Sequence, residues 1–167
     1  MKTFNFAFLT ISAMVLLGST VGAQPHTTGQ QLEGSWLVDV SPDTPPGVPP
    51  LASFKALFTY THDGIVIEND VTSPPAVGPL AGSVTSSGHG EWARIGDRQF
   101  TVTTIKLAYA NSKLVATLRA TGTLTLNDTL AGYTSTFKGE FRDPNGNLIL
   151  ATTGTTQGVR IGVDIPQ

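Results

Sequence analysis

The chain has 167 residues and no cysteine, and its ten Lys and Arg residues face twelve Asp and Glu residues, for a formal net charge of −2. The two signs are interspersed, unlike the charge pattern of a surface that binds nucleic acid or an anionic membrane. Without cysteine, the chain has neither disulfides nor a thiol for a lipid anchor, so its stability has to come from a hydrophobic core.

Residues 1–23 have the features of a secretory signal peptide. Lys2 gives a weakly positive start, an apolar run follows, and Val21 and Ala23 place small residues before a cleavage site. The apolar run is shorter than the roughly 20 residues that span a bilayer, and no later segment approaches that length. The sequence therefore predicts a secreted or periplasmic protein, cut after Ala23, in which residues 24–167 form one domain without membrane insertion.

Alternating segments rich in Thr, Val and aromatic residues dominate the rest of the chain. No stretch after Gln24 repeats apolar residues at helical spacing for three turns. The pattern predicts an all-β domain of eight strands. The predicted strands are Ser35–Val40, Phe54–Thr61, Ile65–Asp70, Gly88–Ile95, Gln99–Tyr109, Leu114–Leu126, Tyr133–Arg142 and Leu148–Ile161.

Short connections rich in Gly, Asn and Asp predict that strands adjacent in sequence also pair in space. Residues 62–64, 96–98, 111–113 and 143–147 are typical of tight hairpin turns. Eight antiparallel strands in meander order can close into an up-and-down barrel with space for one small ligand. A sandwich is the alternative, but it needs crossovers for which few long connections are available.

Two long, proline-rich connections are expected at the same end of such a barrel. They cover residues 41–53 and about 71–87, and the connections between them in the meander are tight. Long loops at one rim of a rigid scaffold indicate the mouth of a binding cavity, although proline-rich length alone could be idle surface.

The start of the first strand carries a family resemblance. Gly34-Ser35-Trp36 resembles the Gly-x-Trp opening motif of lipocalins and the wider calycin group, here as a minimal secreted bacterial type. The resemblance implies an eight-stranded meander barrel, a small hydrophobic ligand, and a late Arg that packs on the Trp at the closed end. Arg160 matches that position, so Gly34, Trp36 and Arg160 are the expected structural closure. The Thr-Asp-Tyr motif and the cysteine pair of that family are missing from this sequence.

The alternation along several strands predicts an aromatic, aliphatic and small interior. Ala120, Gly122 and Gly139 can leave space among larger side chains, although the large side chains could also fill the barrel completely. Apolar residues that face inward near the mouth are the candidate ligand contacts. They are Phe54, Phe58, Leu118, Phe141 and Leu150.

One strand carries a possible acid and base. His89 and Glu91 share one face of strand 88–95, about 6.6 Å apart along the strand. Burial of Trp92 on the other face turns both side chains to solvent, and an unpaired buried Glu would be costly. No catalytic residue is therefore predicted; if the protein is an enzyme, His89, Glu91 and Arg94 are the candidates.

The sequence predicts neither a metal site nor a cofactor. His62 and His89 are expected at opposite ends of the barrel, about 25 Å apart, whereas a zinc site needs four converging ligands. No nucleophile elbow, phosphate-binding glycine loop or calcium-loop spacing is present.

Three functions remain open at this point. The first is a secreted binding protein with a small hydrophobic molecule in the barrel. The second is a cofactor-independent isomerase or cyclase in a barrel similar to allene oxide cyclase, which would need His89, Glu91 or Arg94 to point inward. The third is an interaction module with a solid barrel that binds through its loops. The oligomeric state is not predicted.

Overall fold

The computed structural model describes residues 31–70, 80 and 82–162. The predicted signal peptide with its cleavage site lies outside the described residues, as do residues 71–79 and 81 of the predicted long connection. Among the described residues, no helix is both long and apolar enough to cross a membrane.

Nine strands follow one another along the described residues. They are β1 (Gly34–Pro42), β2 (Phe54–Tyr60), β3 (Ile65–Asp70), β4 (Val84–Thr85), β5 (Gly88–Arg94), β6 (Gln99–Ala110), β7 (Lys113–Leu126), β8 (Gly132–Arg142) and β9 (Leu148–Arg160). Burial alternates along β1, where Trp36, Val38 and Val40 are buried and Leu37 and Asp39 are exposed. One face of such a strand points into the molecule and the other points to solvent.

Eight of these strands close into an antiparallel barrel. Apart from β4, strands adjacent in the chain pair with each other. β3 pairs directly with β5, and β1 pairs with β9 to close the ring. The all-β class and the eight-stranded antiparallel meander barrel predicted from the sequence are confirmed. A closed ring leaves no long unpaired edge on the barrel strands.

The short strand β4 lies outside the ring and was not predicted. Its residues Val84 and Thr85 pair with Tyr109 and Ala108 at the end of β6. β5 begins only at Gly88, so the last part of β6 would otherwise lack a partner on that side. β4 supplies the backbone hydrogen-bonding groups that β5 does not reach.

The hairpin turns have the backbone geometry that their residues favour. Asn111 and Ser112, between β6 and β7, have φ angles of 49° and 62°. Positive φ at both central residues is the requirement of a two-residue type I′ turn. Gly64 and Gly146 have φ angles of 85° and 88° in the turns before β3 and β9.

The two ends of the barrel differ in construction. The mouth is the end where β1 leads into residues 43–53 and β3 leads into residues 71–83, and the closed end is the opposite one. The largest cluster of buried residues includes Trp36, Tyr60 and Trp92, which lie on their strands near the closed end. The closed end is therefore filled by aromatic side chains, and free volume lies between them and the mouth.

Candidate functional site

The barrel encloses a cavity of about 570 Å³ that opens toward the mouth. Tyr60 and Tyr133 lie at its inner end, and residues from all eight barrel strands except β5 line its walls. A pocket of about 300–1,000 Å³ is typical of sites for small molecules. The interaction-module hypothesis required a barrel filled by its own side chains, and this barrel is not filled.

All five residues expected to contact a ligand line this one cavity. They are Phe54, Phe58, Leu118, Phe141 and Leu150. They come from β2, β7, β8 and β9, so the apolar surface surrounds the cavity on several sides.

Small residues on β7 and β8 leave part of this volume empty. Ala120, Gly122 and Gly139 face the cavity between larger neighbours. A Cβ at Gly139 would lie 3.5 Å from Leu118 Cδ1 and 3.5 Å from Thr152 Cγ2, which is ordinary van der Waals contact. Volume at this wall is set by the sequence, since a larger residue at Gly139 or Ala120 would occupy it.

Described residues of both long connections pack near the mouth. Residues 49–53, which follow β1, line the cavity. Leu80 is 2% exposed and packs in a second buried cluster with Ala108, Ala116 and Phe141. Access to the cavity therefore passes beside residues 49–53.

A cluster of charged side chains forms one wall of the cavity, on β3 and β6. Lys106 Nζ lies 2.6 Å from Glu68 Oε1 and 2.6 Å from Asp70 Oδ2. The Thr104 hydroxyl donates a hydrogen bond of 2.9 Å to Glu68 Oε2. The side chains of Lys106, Asp70 and Glu68 are 2%, 1% and 10% exposed. An interior predicted to be aromatic, aliphatic and small thus contains a buried ionic cluster as well.

Burial changes the acidity of the groups at this wall and at the inner end of the cavity. Desolvation raises the pKa of Glu68, although the nearby Lys106 ammonium acts in the opposite direction. Desolvation also raises the pKa of Tyr133 to about 12, and it raises the pKa of Tyr60 well above its ordinary value. A titratable group with a pKa shifted by burial inside a cavity is a common property of functional sites.

Gly88 makes the contact between β3 and β6 possible. Gly88 on β5 pairs with Glu68 of β3, and β5 lies between β3 and β6 in the barrel. A Cβ at Gly88 would lie 2.9 Å from Glu68 Oε2 and 3.1 Å from Lys106 Cε. Because Gly88 has no side chain, Glu68 and Lys106 can meet across β5 at this position.

The three candidate catalytic residues, His89, Glu91 and Arg94, do not line the cavity. His89 and Glu91 are exposed on the outer face of β5, and Trp92 is buried on the inner face. Arg94 donates a hydrogen bond of 2.7 Å from Nε to the Gly96 carbonyl and also contacts Asp97 in the β5–β6 turn. His89 and Glu91 do not point inward, which the isomerase hypothesis would need of them, because Trp92 occupies the inner face of this strand.

The predicted closure residues meet at the closed end. Trp36 and Arg160 are direct partners in the β1–β9 ladder, and Arg160 Cζ lies 4.3 Å from the centroid of the Trp36 ring. A Cβ at Gly34 would lie 3.0 Å from an Arg160 guanidinium nitrogen. Gly34 also has a φ angle of 115°, a conformation that L residues rarely adopt. These three residues form a single unit at the base of the barrel.

The ionic cluster could have been found from the register of the hairpins. In β3 the apolar Ile65 and Ile67 alternate with Glu68, so periodicity alone favours an outward carboxylate. The structure has the opposite orientation, with Ile65 and Ile67 38% and 39% exposed. Tyr60 faces inward and pairs with Val66 across a tight turn. Because cross-strand partners share a face, Val66 and then Glu68 point inward too.

No protein-family model matches the sequence, and no curated protein is similar to it at a significant level. The closed eight-stranded barrel is compatible with a lipocalin-like fold. In the described part of the chain, no three His, Cys, Asp or Glu side chains are grouped as metal ligands.

Proposed function

We propose that this chain is a secreted, lipocalin-like binding protein that holds a small, mainly hydrophobic molecule inside its barrel. The observation that carries the proposal is the cavity of about 570 Å³ with apolar residues on several sides. Phe54, Phe58 and Phe141 supply large apolar contact areas, and Leu118 and Leu150 complete the apolar lining.

The positions of the candidate catalytic residues favour a binding function over catalysis. His89 and Glu91 lie on the outer face, where neither can reach a molecule in the cavity. Aromatic side chains fill the closed end of the barrel, so a ligand would enter from the mouth, beside residues 49–53. Ligand sites are common in the mouths of β-barrels.

A fluorescence titration with the neutral apolar probe N-phenyl-1-naphthylamine tests this proposal. The wild-type protein should bind one probe molecule per chain, with an increase in emission. Ala120→Phe should weaken binding by about tenfold or more, because the new ring fills volume that the probe needs.

Thr123→Phe is the matched control, since Thr123 lies on the same strand as Ala120 but on the exposed face. The control variant should bind the probe like wild type. Absence of probe binding by the folded wild-type protein would contradict the proposal, and so would equal loss of binding in both variants.

Export is tested separately from binding. Expression of the full chain with its leader should place the protein outside the cytoplasm with Gln24 as its first residue. Intact-mass measurement of the exported protein checks the cut after Ala23. Retention of residues 1–23 in the purified protein would contradict the secretion part of the proposal.

A further inference from the structure

The ionic cluster formed by Glu68, Asp70 and Lys106 gives the cavity an electrostatic character that apolar binding alone does not use. These three residues carry the ionisable acid and base groups, apart from phenols, among the described residues that line the cavity. The single ammonium of Lys106 lies between the two carboxylates, 2.6 Å from an oxygen of each. With all three groups ionised, the cavity wall carries one negative charge in excess.

An excess charge at this position is poorly screened by water. Glu68 and Asp70 have side chains that are 10% and 1% exposed. A buried carboxylate gains most from a close positive charge, because the cost of its lost hydration is otherwise uncompensated. Lys106 is shared between two acids, so a second cation in the cavity would find an attractive partner.

Aromatic rings on the other walls favour the same kind of group. Phe54 and Phe58 lie on β2, next to β3, and Phe137 and Phe141 lie on β8, across the barrel. The face of an aromatic ring attracts a cation within about 6 Å of its centroid. A ring that presents its face to the ligand would therefore select in the same direction as the carboxylates.

The cluster also disfavours an acidic ligand. Lys106 is the one cationic side chain among the described residues that line the cavity, and two carboxylates already contact its ammonium. The carboxylate of a fatty acid would have to compete with both for that ammonium, and like charges close together are costly in an apolar site.

We propose that the cavity selects small apolar molecules that carry one basic nitrogen, whose ammonium group pairs with the Glu68 carboxylate. The inference rests on the proposed function and specifies the chemical class of its ligand. The apolar body of the ligand would occupy the space beside Phe54 and Phe141, and its ammonium would face the wall formed by β3 and β6.

Three probes of equal length test the inference by displacement of N-phenyl-1-naphthylamine at pH 7. They are octylamine, 1-octanol and octanoate, which differ in the charge of one end group. We expect octylamine to bind wild type at least tenfold more tightly than 1-octanol, and octanoate to bind least tightly. Glu68→Gln should reduce the amine-to-alcohol ratio by about tenfold.

Glu91→Gln is the matched control, because it removes the same charge from the outer face of β5. This variant should keep the amine preference of wild type, which separates the local effect from a change in net charge. Asp70→Asn serves as a second cavity variant should Glu68→Gln fail to fold, as judged by circular dichroism. The ratio measured in wild type tests the amine selectivity by itself, and the variants test the role of the carboxylates.

The outcomes for the inference and for the proposed function are distinct. Equal affinities for octylamine and 1-octanol, or tightest binding of octanoate, would overturn the amine selectivity. Binding of N-phenyl-1-naphthylamine would still support the proposed binding function. An amine preference that survives unchanged in Glu68→Gln would overturn the role of this carboxylate. Failure of wild type to bind the fluorescent probe or any octyl compound would overturn both.

Discussion

Arg160 and Trp36 are partners in the β1–β9 ladder, and the Arg160 guanidinium lies 4.3 Å from the centroid of the Trp36 ring. The same guanidinium donates hydrogen bonds to the carbonyls of Leu130, Glu33 and Gln31. The Trp36 indole nitrogen donates a hydrogen bond of 2.9 Å to the Leu32 carbonyl. This pair therefore ties the segment before β1 and the loop before β8 to the closed end.

Arg160→Ala should destabilise the protein by about 2 kcal/mol, because it removes the cation–π contact and leaves backbone carbonyls without their donor. The free energy of unfolding from urea titrations, followed by Trp fluorescence, checks this value. Arg160→Lys keeps the charge but lacks the planar fork of donors, so it should recover only part of the loss. Unchanged stability and emission in Arg160→Ala would contradict a structural role for the pair.

Gly88→Ala should destabilise the protein by about 1–3 kcal/mol, because its Cβ would lie 2.9 Å from Glu68 Oε2 and 3.1 Å from Lys106 Cε. Gly139→Ala is the matched control, a buried glycine on a barrel strand with space for a methyl group. The control should be neutral or slightly more stable, because Gly weakens strands relative to Ala. Urea titrations of both variants give the comparison, and equal effects would show that the clash at Gly88 does not matter.

The fold could be predicted because turns and alternation agree along most of the chain. Gly and Asn at residues 64, 111 and 146 supply positive φ angles in the tight turns, which sets antiparallel neighbours. The apolar alternation of Trp36, Val38 and Val40 then sets which face of β1 is inside. The pairing of β4 with β6 could not be read in this way, because two residues are too few for a periodic signal.

The site was predicted only in its apolar part. Phe54 and Phe141 are in phase with other inward apolar residues, so alternation finds them. Glu68 and Lys106 are charged residues at inward-facing positions, which alternation does not predict. In β3, the apolar Ile65 and Ile67 would be expected inside, but they are exposed and Glu68 is buried. The barrel accepts Glu68 because Lys106 contacts one of its carboxylate oxygens and Thr104 the other. These contacts join strands that are distant in sequence.

Lys106→Met should destabilise the protein by about 3–5 kcal/mol at pH 7, since it leaves the Glu68 and Asp70 carboxylates buried without their ammonium partner. The loss should be smaller at pH 4, because burial raises the pKa of Glu68 and its carboxylate can then take up a proton. Urea titrations at the two pH values check both statements. Lys138→Met, which removes an exposed ammonium paired with Glu140 on the outer face of β8, is the matched control and should have little effect.

Glu68→Gln should flatten the dependence of stability on pH. Burial raises the pKa of Glu68, so its contribution to stability is fully present below the unfolded pKa of about 4.3 and is lost as pH rises through the folded pKa. Lys106, Asp70, Tyr60 and Tyr133 also line the cavity and are present in both proteins, so the comparison isolates Glu68. The difference in unfolding free energy between variant and wild type should therefore move in favour of the variant from pH 4 to pH 8. A constant difference over that range would contradict the raised pKa.

Tyr133→Phe should protect the protein from alkaline destabilisation. Burial raises the pKa of Tyr133 to about 12, whereas a phenol in the unfolded chain titrates near pH 10. The folded state therefore favours the protonated phenol, and its contribution to stability is lost as pH rises from about 10 through 12. At pH 11 the wild type should have lost about 1 kcal/mol relative to the variant, compared with their difference at pH 8.

Urea titrations at both pH values measure this change, and Tyr109→Phe, near the mouth end of β6, shows whether loss of any phenol has the same effect. An equal shift in both variants would assign the alkaline effect to the unfolded chain and not to the buried end of the cavity.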